Sequence, residues 1–82
     1  MEQIEITIKY CAPWKFEPQA EQLASALRLQ FFNEKPSVNV QENKVFGTFD
    51  VLLCDELVYS KKQTGRLPFP GEVEKIIAKR IL

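Results

Sequence analysis

Ile4, Ile6 and Ile8 alternate with Glu5, Thr7 and Lys9, and this period of two predicts a strand with one apolar and one polar face. Tyr10 and Cys11 end the strand, and Ala12-Pro13 turns the chain. Pro18 suits the first turn of a helix, where a missing N–H costs nothing, and Glu17 before it complements the helix dipole. Ala20, Leu23, Ala24, Leu27 and Phe31 then recur along one helical face, with Glu21, Gln22, Ser25 and Arg28 off it. Asn33 is a stop and Pro36 forbids continuation. Val38 and Val40 alternate with polar residues over Ser37–Gln41, a short edge strand, and Glu42-Asn43-Lys44 is a polar turn. Gly47 precedes a further strand, Thr48–Cys54, in which Phe49, Val51 and Leu53 face one way and Asp50, Leu52 and Cys54 the other. Its two partly apolar faces suit a central strand. Asp55-Glu56 breaks the run before a hairpin partner at Leu57–Ser60. Gly65 and two prolines make Lys61–Pro70 a loop. Val73, Ile76, Ile77 and Ile81 mark a second amphipathic helix over Gly71–Leu82.

The order is strand, helix, strand, strand, strand, helix. A right-handed β-α-β crossover gives two parallel strands, and a hairpin and a terminal helix follow. The expected fold is α/β and thioredoxin-like, β-α-β-β-β-α. Its four-stranded mixed sheet has the order 2-1-3-4 with both helices on one face, in one domain spanning 1–82. The third strand then runs antiparallel to the first, so Gly47 and Thr48 neighbour Cys11. Cys54 lies at the opposite end, roughly 20 Å away at ~3.4 Å per residue. A disulfide needs Cα atoms within ~7 Å, so a Cys11–Cys54 bridge is not expected.

Composition narrows the function classes. A hydrophobic share of 45% fits a globular chain. Lys plus Arg equals Asp plus Glu at 11 each, so there is no general drive toward nucleic acid or anionic membrane. Zero net charge favours self-association, and a weak homodimer through the open sheet face, with Leu52 and Cys54 on it, is an expectation. No apolar run approaches ~18 residues. The N-terminus MEQIEITIKY lacks the basic and apolar regions of a secretory signal, and KRIL carries no lipidation box, so a cytoplasmic location is expected. There is no histidine, which removes imidazole from any metal site or Cys–His pair. No bound cofactor and no metal are expected.

The candidate chemistry is Cys11. A thiol after a strand and just before a helix N-terminus sits where backbone N–H groups and the dipole favour an anion, and such a site favours thiolate over thiol. The competing reading is a small buried hydrophobe at a strand end. Cys54 reads as a sheet-packing residue. Lys61, Lys62 and Arg66 form either a basic patch for glutathione carboxylates or an acidic partner, or a solvated loop. Phe31 and Phe46 read as core, and Phe32 and Phe69 as surface anchors.

Several residues carry a resemblance in the right order along nearly the whole chain. They are Tyr10-Cys11, the loop Cys11-Ala12-Pro13-Trp14, Phe16, the run Gly47-Thr48-Phe49-Asp50-Val51, and Ser60-Lys61, Gly65 and Pro68. The chain resembles the selenoprotein W-like (SelT/SelW/SelH, Rdx) group of thioredoxin-like proteins. That resemblance implies thiol-based redox chemistry, with Cys11 the attacking thiolate forming mixed disulfides with glutathione or a partner protein. It implies a site of Cys11 and position 14, with Tyr10, Ala12, Pro13, Phe16, Gly47 and Thr48 around it. The family's second redox position is Cys or selenocysteine, and here it is Trp14. One thiolate attacks and the other resolves the mixed disulfide in such a pair, so resolution here needs glutathione or another external thiol. Selenocysteine is encoded by UGA, which some codes or translation pipelines read as Trp. Evolutionary loss or deliberate replacement would leave the same protein sequence, and codon 14 in the source genome decides among them. The alternative is a non-enzymatic interaction module that keeps the fold without redox turnover.

Overall fold

The computed structural model describes residues 4–11, 16–45 and 47–81. The chain forms β1 (Glu5–Cys11), α1 (Glu17–Gln30), a 3-10 turn (Phe32–Glu34), β2 (Ser37–Asn43), β3 (Phe49–Leu53), β4 (Glu56–Ser60), a one-turn α2 (Lys61–Thr64) and α3 (Glu72–Ile81). The sheet order is β2-β1-β3-β4. β1 runs parallel to β2, with Ile6 opposite Val38, and antiparallel to β3, with Ile8 opposite Val51 and Tyr10 opposite Phe49. The mixed sheet expected from element order is therefore the one formed.

The period-two pattern decides which face is covered. Ile6, Ile8 and Tyr10 of β1 and Phe49, Val51 and Leu53 of β3 share one core with Ala20, Ala24 and Leu27 of α1 and Val73 and Ile77 of α3. Both long helices lie on that face. Alanines at 20 and 24 leave no bulk between the α1 backbone and the strands. On the opposite face Thr7, Lys9, Asp50 and Leu52 are only half-buried, and Leu57 is exposed. Arg28 of α1 donates to the Val38 carbonyl at 3.0 Å and ties the helix to the edge strand β2.

Four expectations are corrected. β3 ends at Leu53, and the turn is Cys54-Asp55, both at positive φ (49° and 70°), in place of Asp55-Glu56. The backbone twist of a two-residue hairpin demands that geometry even without glycine. Cys54 thus leaves the sheet and is exposed; it packs no sheet face, and its N–H donates to the Glu5 carbonyl at 2.7 Å. Residues 61–64, read as loop, close one helical turn ended by Gly65 at φ 80°, whose N–H donates to the Lys61 carbonyl at 2.7 Å. A single turn has no apolar period to read. β2 runs on through Asn43, past the polar residues that signalled a turn.

β4 carries an irregularity that the sequence did not show. Val51 faces Tyr59 while Leu52 faces Leu57, so Val58 is an extra residue. A bulge re-aims the side chains beyond it. Here it leaves Leu57 outward and turns Tyr59 into the core, where it is buried. Phe31 is core and Phe32 and Phe69 are exposed, as expected. Phe46 lies outside the described residues.

Candidate functional site

The sheet end at which β1 stops is where the candidate residues gather. Cys11 is the last residue of β1, and its N–H donates to the Thr48 carbonyl at 2.9 Å. Antiparallel pairing of β1 with β3 brings the residues just before Phe49 to this end, so Gly47 and Thr48 are neighbours of Cys11 as element order required. Gly47 sits at φ 76°, a conformation that favours glycine. Thr48 is buried, and its hydroxyl donates to the Val45 carbonyl at 2.7 Å. Asn43 accepts the Val45 N–H through Oδ1 at 2.8 Å. Asn43 and Val45 were not singled out in the sequence, although an Asn two residues ahead of a turn is the usual signal of such a side-chain-closed loop.

Cys11 is fully buried, one of the core residues at the end of β1. A thiol with no exposed surface reacts with a molecule the size of glutathione only after it is uncovered. Tyr10 points to the helix face, and its hydroxyl faces the Glu17 carboxylate at 3.4 Å. Burial first, and then the charges of Glu17, Glu42 and Glu21, push the Tyr10 phenol up. Phe16 stands immediately before α1 and accepts the Ala20 N–H on its carbonyl at 3.0 Å. Its ring meets Phe49 edge-on, centroids 6.2 Å apart, and Lys61 Nζ lies 5.8 Å from the ring centroid. Ala12, Pro13 and Trp14 lie outside the described residues.

Cys54 is elsewhere. Its N–H meets Glu5 at the start of β1, whereas Cys11 ends that strand. The six steps between them span roughly 20 Å, and no disulfide joins the two cysteines. No group of three or more Cys, Asp or Glu side chains suited to a metal occurs among the described residues.

The basic residues divide. Arg66 pairs with both oxygens of Glu72 at 2.7 and 2.9 Å and lies over the Phe69 ring at 4.1 Å. Its carbonyl accepts the Tyr59 hydroxyl at 2.6 Å. Arg66 thus closes the segment between α2 and α3, while Lys61 faces Phe16. The Arg66 fork and the Phe69 N–H hold the Glu72 carboxyl down to about 2, from an ordinary 4.5. A depressed folded-state value stabilises above the unfolded pKa and is lost as pH falls through the folded one. Glu72→Gln is therefore expected to lower the urea midpoint at neutral pH. The gap from the parent should close between about pH 5 and about pH 2. A gap that is constant with pH would remove the ion pair as its cause.

Sheet order, the β-α-β start and a thiol at the end of β1 define a thioredoxin-like domain with a cysteine at its site. A family model described as the Rdx family matches residues 5–79, and the chain belongs to that family. It is 30% identical over 76 residues to migration and invasion enhancer 1 of Bos taurus and, equally, of Mus musculus. The match covers 90% of this chain and 62% of each relative, so the chain spans about three-fifths of their length. Two crystal structures share the fold. A selenoprotein W-related protein from Vibrio cholerae has a TM-score of 0.91 at 20% identity, over 99% of this chain and all of that one. A protein from Bordetella parapertussis has a TM-score of 0.91 at 16% identity, over 98% of this chain and all of that one. No helix among the described residues is long and apolar enough to cross a membrane.

Proposed function

We propose that Cys11 is a redox-active thiol that forms mixed disulfides with glutathione or with a thiol of a partner protein. The observation that carries this reading is the place of Cys11 in an Rdx-family chain: the end of β1, bonded to Thr48, just ahead of α1. In the step proposed, the Cys11 thiolate attacks one sulfur of oxidised glutathione. The S–S bond breaks, one glutathione leaves as thiolate and takes up a proton, and Cys11 keeps the other as a mixed disulfide. Trp14 has no sulfur with which to resolve it. The thiolate of a partner protein then attacks the glutathione sulfur of the mixed disulfide; the bond to Cys11 breaks, Cys11 leaves as thiolate, and the glutathionyl group passes to the partner.

Incubation with oxidised glutathione, followed by intact mass and peptide mapping, tests the proposal. Mapping is needed because Cys54 is exposed. In Cys54→Ser, one glutathione per chain at Cys11 is expected, removable by reduced glutathione; in Cys11→Ser none is expected at position 11. An adduct confined to Cys54 in the parent chain overturns the proposal.

The complete burial of Cys11 favours a second reading, an interaction module without turnover. Under it, Cys11 takes glutathione only when the chain is unfolded in urea, and native protein stays unmodified at position 11.

A further inference from the structure

The three basic residues that follow β4 have different surroundings. Arg66 is committed to Glu72 and Phe69. Lys62 is exposed, whereas Lys61 is half-buried and turns its stem toward Phe16, the residue ahead of α1. Sheet register fixes where that stem starts. Lys9, Asp50 and Ser60 form one row across β1, β3 and β4. Cys11 follows Lys9 by two residues, Thr48 precedes Asp50 by two, and Lys61 follows Ser60 directly, so all three stand at the same end of the sheet. Two strand spacings of ~4.8 Å put the Cys11 and Lys61 backbones roughly 10 Å apart, with Thr48 between them.

Charge is distributed unevenly about Cys11. On the β2 side, Glu42 stands opposite Tyr10, and Glu17 faces the Tyr10 hydroxyl. On the β4 side stands Lys61. An anionic arm attached at Cys11 is repelled on the first side and attracted on the second. Exchange with oxidised glutathione leaves such an arm. Its glutamyl carboxylate has an ammonium beside it, so the glycine carboxylate is the uncompensated charge. That carboxylate lies roughly 7 Å from the cysteine of glutathione, at ~3.5 Å per residue. It can therefore meet an ammonium on a four-carbon stem rooted two strands away.

We propose that Lys61 holds the glycine carboxylate of a glutathionyl group on Cys11, with the peptide lying across Thr48. Lys61 binds substrate and takes no part in the exchange of sulfur. The inference rests on the reactivity of Cys11 proposed above, and it names the cation that favours glutathione over disulfides lacking that carboxylate.

The test is the equilibrium constant for exchange between Cys11 and oxidised glutathione. It is read by intact mass in a Cys54→Ser background at set ratios of oxidised to reduced glutathione. An equilibrium constant does not depend on how fast a buried thiol is uncovered. The comparator is the same disulfide with its glycine carboxylates converted to amides. Lys61→Gln is expected to lower the constant for glutathione about threefold, the scale of a part-exposed ion pair, and to leave that of the amide unchanged. Lys61→Arg keeps the charge and should keep the parent value. Lys44→Gln and Lys62→Gln remove the same charge from exposed positions and should also leave it near the parent value. An equal fall for glutathione and its amide would show that Lys61 acts through Phe16 and the fold, and would overturn the inference. No effect of Lys61→Gln, or an equal effect of Lys44→Gln or Lys62→Gln, would overturn it too. Those outcomes leave the reactivity of Cys11 standing. Failure of Cys11 in the folded parent to exchange with either disulfide removes that reading and this one with it.

Discussion

Phe49→Ala is expected to destabilise the protein by about 3–5 kcal/mol, the usual cost of truncating a buried phenylalanine. Phe49 is 1% exposed, lies on a central strand opposite Tyr10, and meets the Phe16 ring edge-on. A chain of this length has a total stability of roughly 4–12 kcal/mol, so the loss is a quarter or more of the whole. It also removes the surface that seats Phe16 ahead of α1. Urea midpoints measure the effect. Phe69→Ala is the control, since Phe69 is 63% exposed and mainly stacks with Arg66; about 1 kcal/mol or less is expected there. Equal losses in the two variants would contradict the burial that separates them.

Trp14→Cys is expected to change the outcome of oxidation altogether. In the parent chain the proposed mixed disulfide at Cys11 waits for an external thiol. A thiol at position 14 recreates the two-cysteine spacing of the family motif. It would attack the Cys11 sulfur, expel glutathione and leave an intramolecular disulfide. In a Cys54→Ser background, since Cys54 is exposed, intact mass after treatment with oxidised glutathione should show a chain lighter by two hydrogens with no adduct at Cys11. An adduct at Cys11 that persists beside an unreacted thiol at position 14 would show that the spacing does not bring the sulfurs together, and the motif reading of that position would fall. Reading codon 14 in the source genome is complementary, since UGG there dismisses a recoded selenocysteine.

The two cysteines mark how far sequence reasoning reaches. Their separation followed from strand order alone, because antiparallel pairing of β1 and β3 sends Cys11 and residue 54 to opposite ends. The role of Cys54 did not follow. Alternation placed it on the sheet, and the hairpin twist moved it into the turn at positive φ. Arg66 is similar. The sequence offered a basic patch or a solvated loop, whereas proximity to Glu72 and Phe69 makes this arginine a structural brace.

Short-range periodicity and one crossover rule were enough for the main elements, their order and the covered face; the juxtaposition of Cys11 with Gly47-Thr48 followed from the thioredoxin-like arrangement that this order resembles. The missing thiol at position 14 was equally plain in the sequence, and no folding can restore it. Three features became visible only in three dimensions. Cys11 is buried, a bulge turns Tyr59 inward, and Lys61 faces Phe16. Each of these depends on how side chains distant in sequence pack, and neither period nor spacing records that.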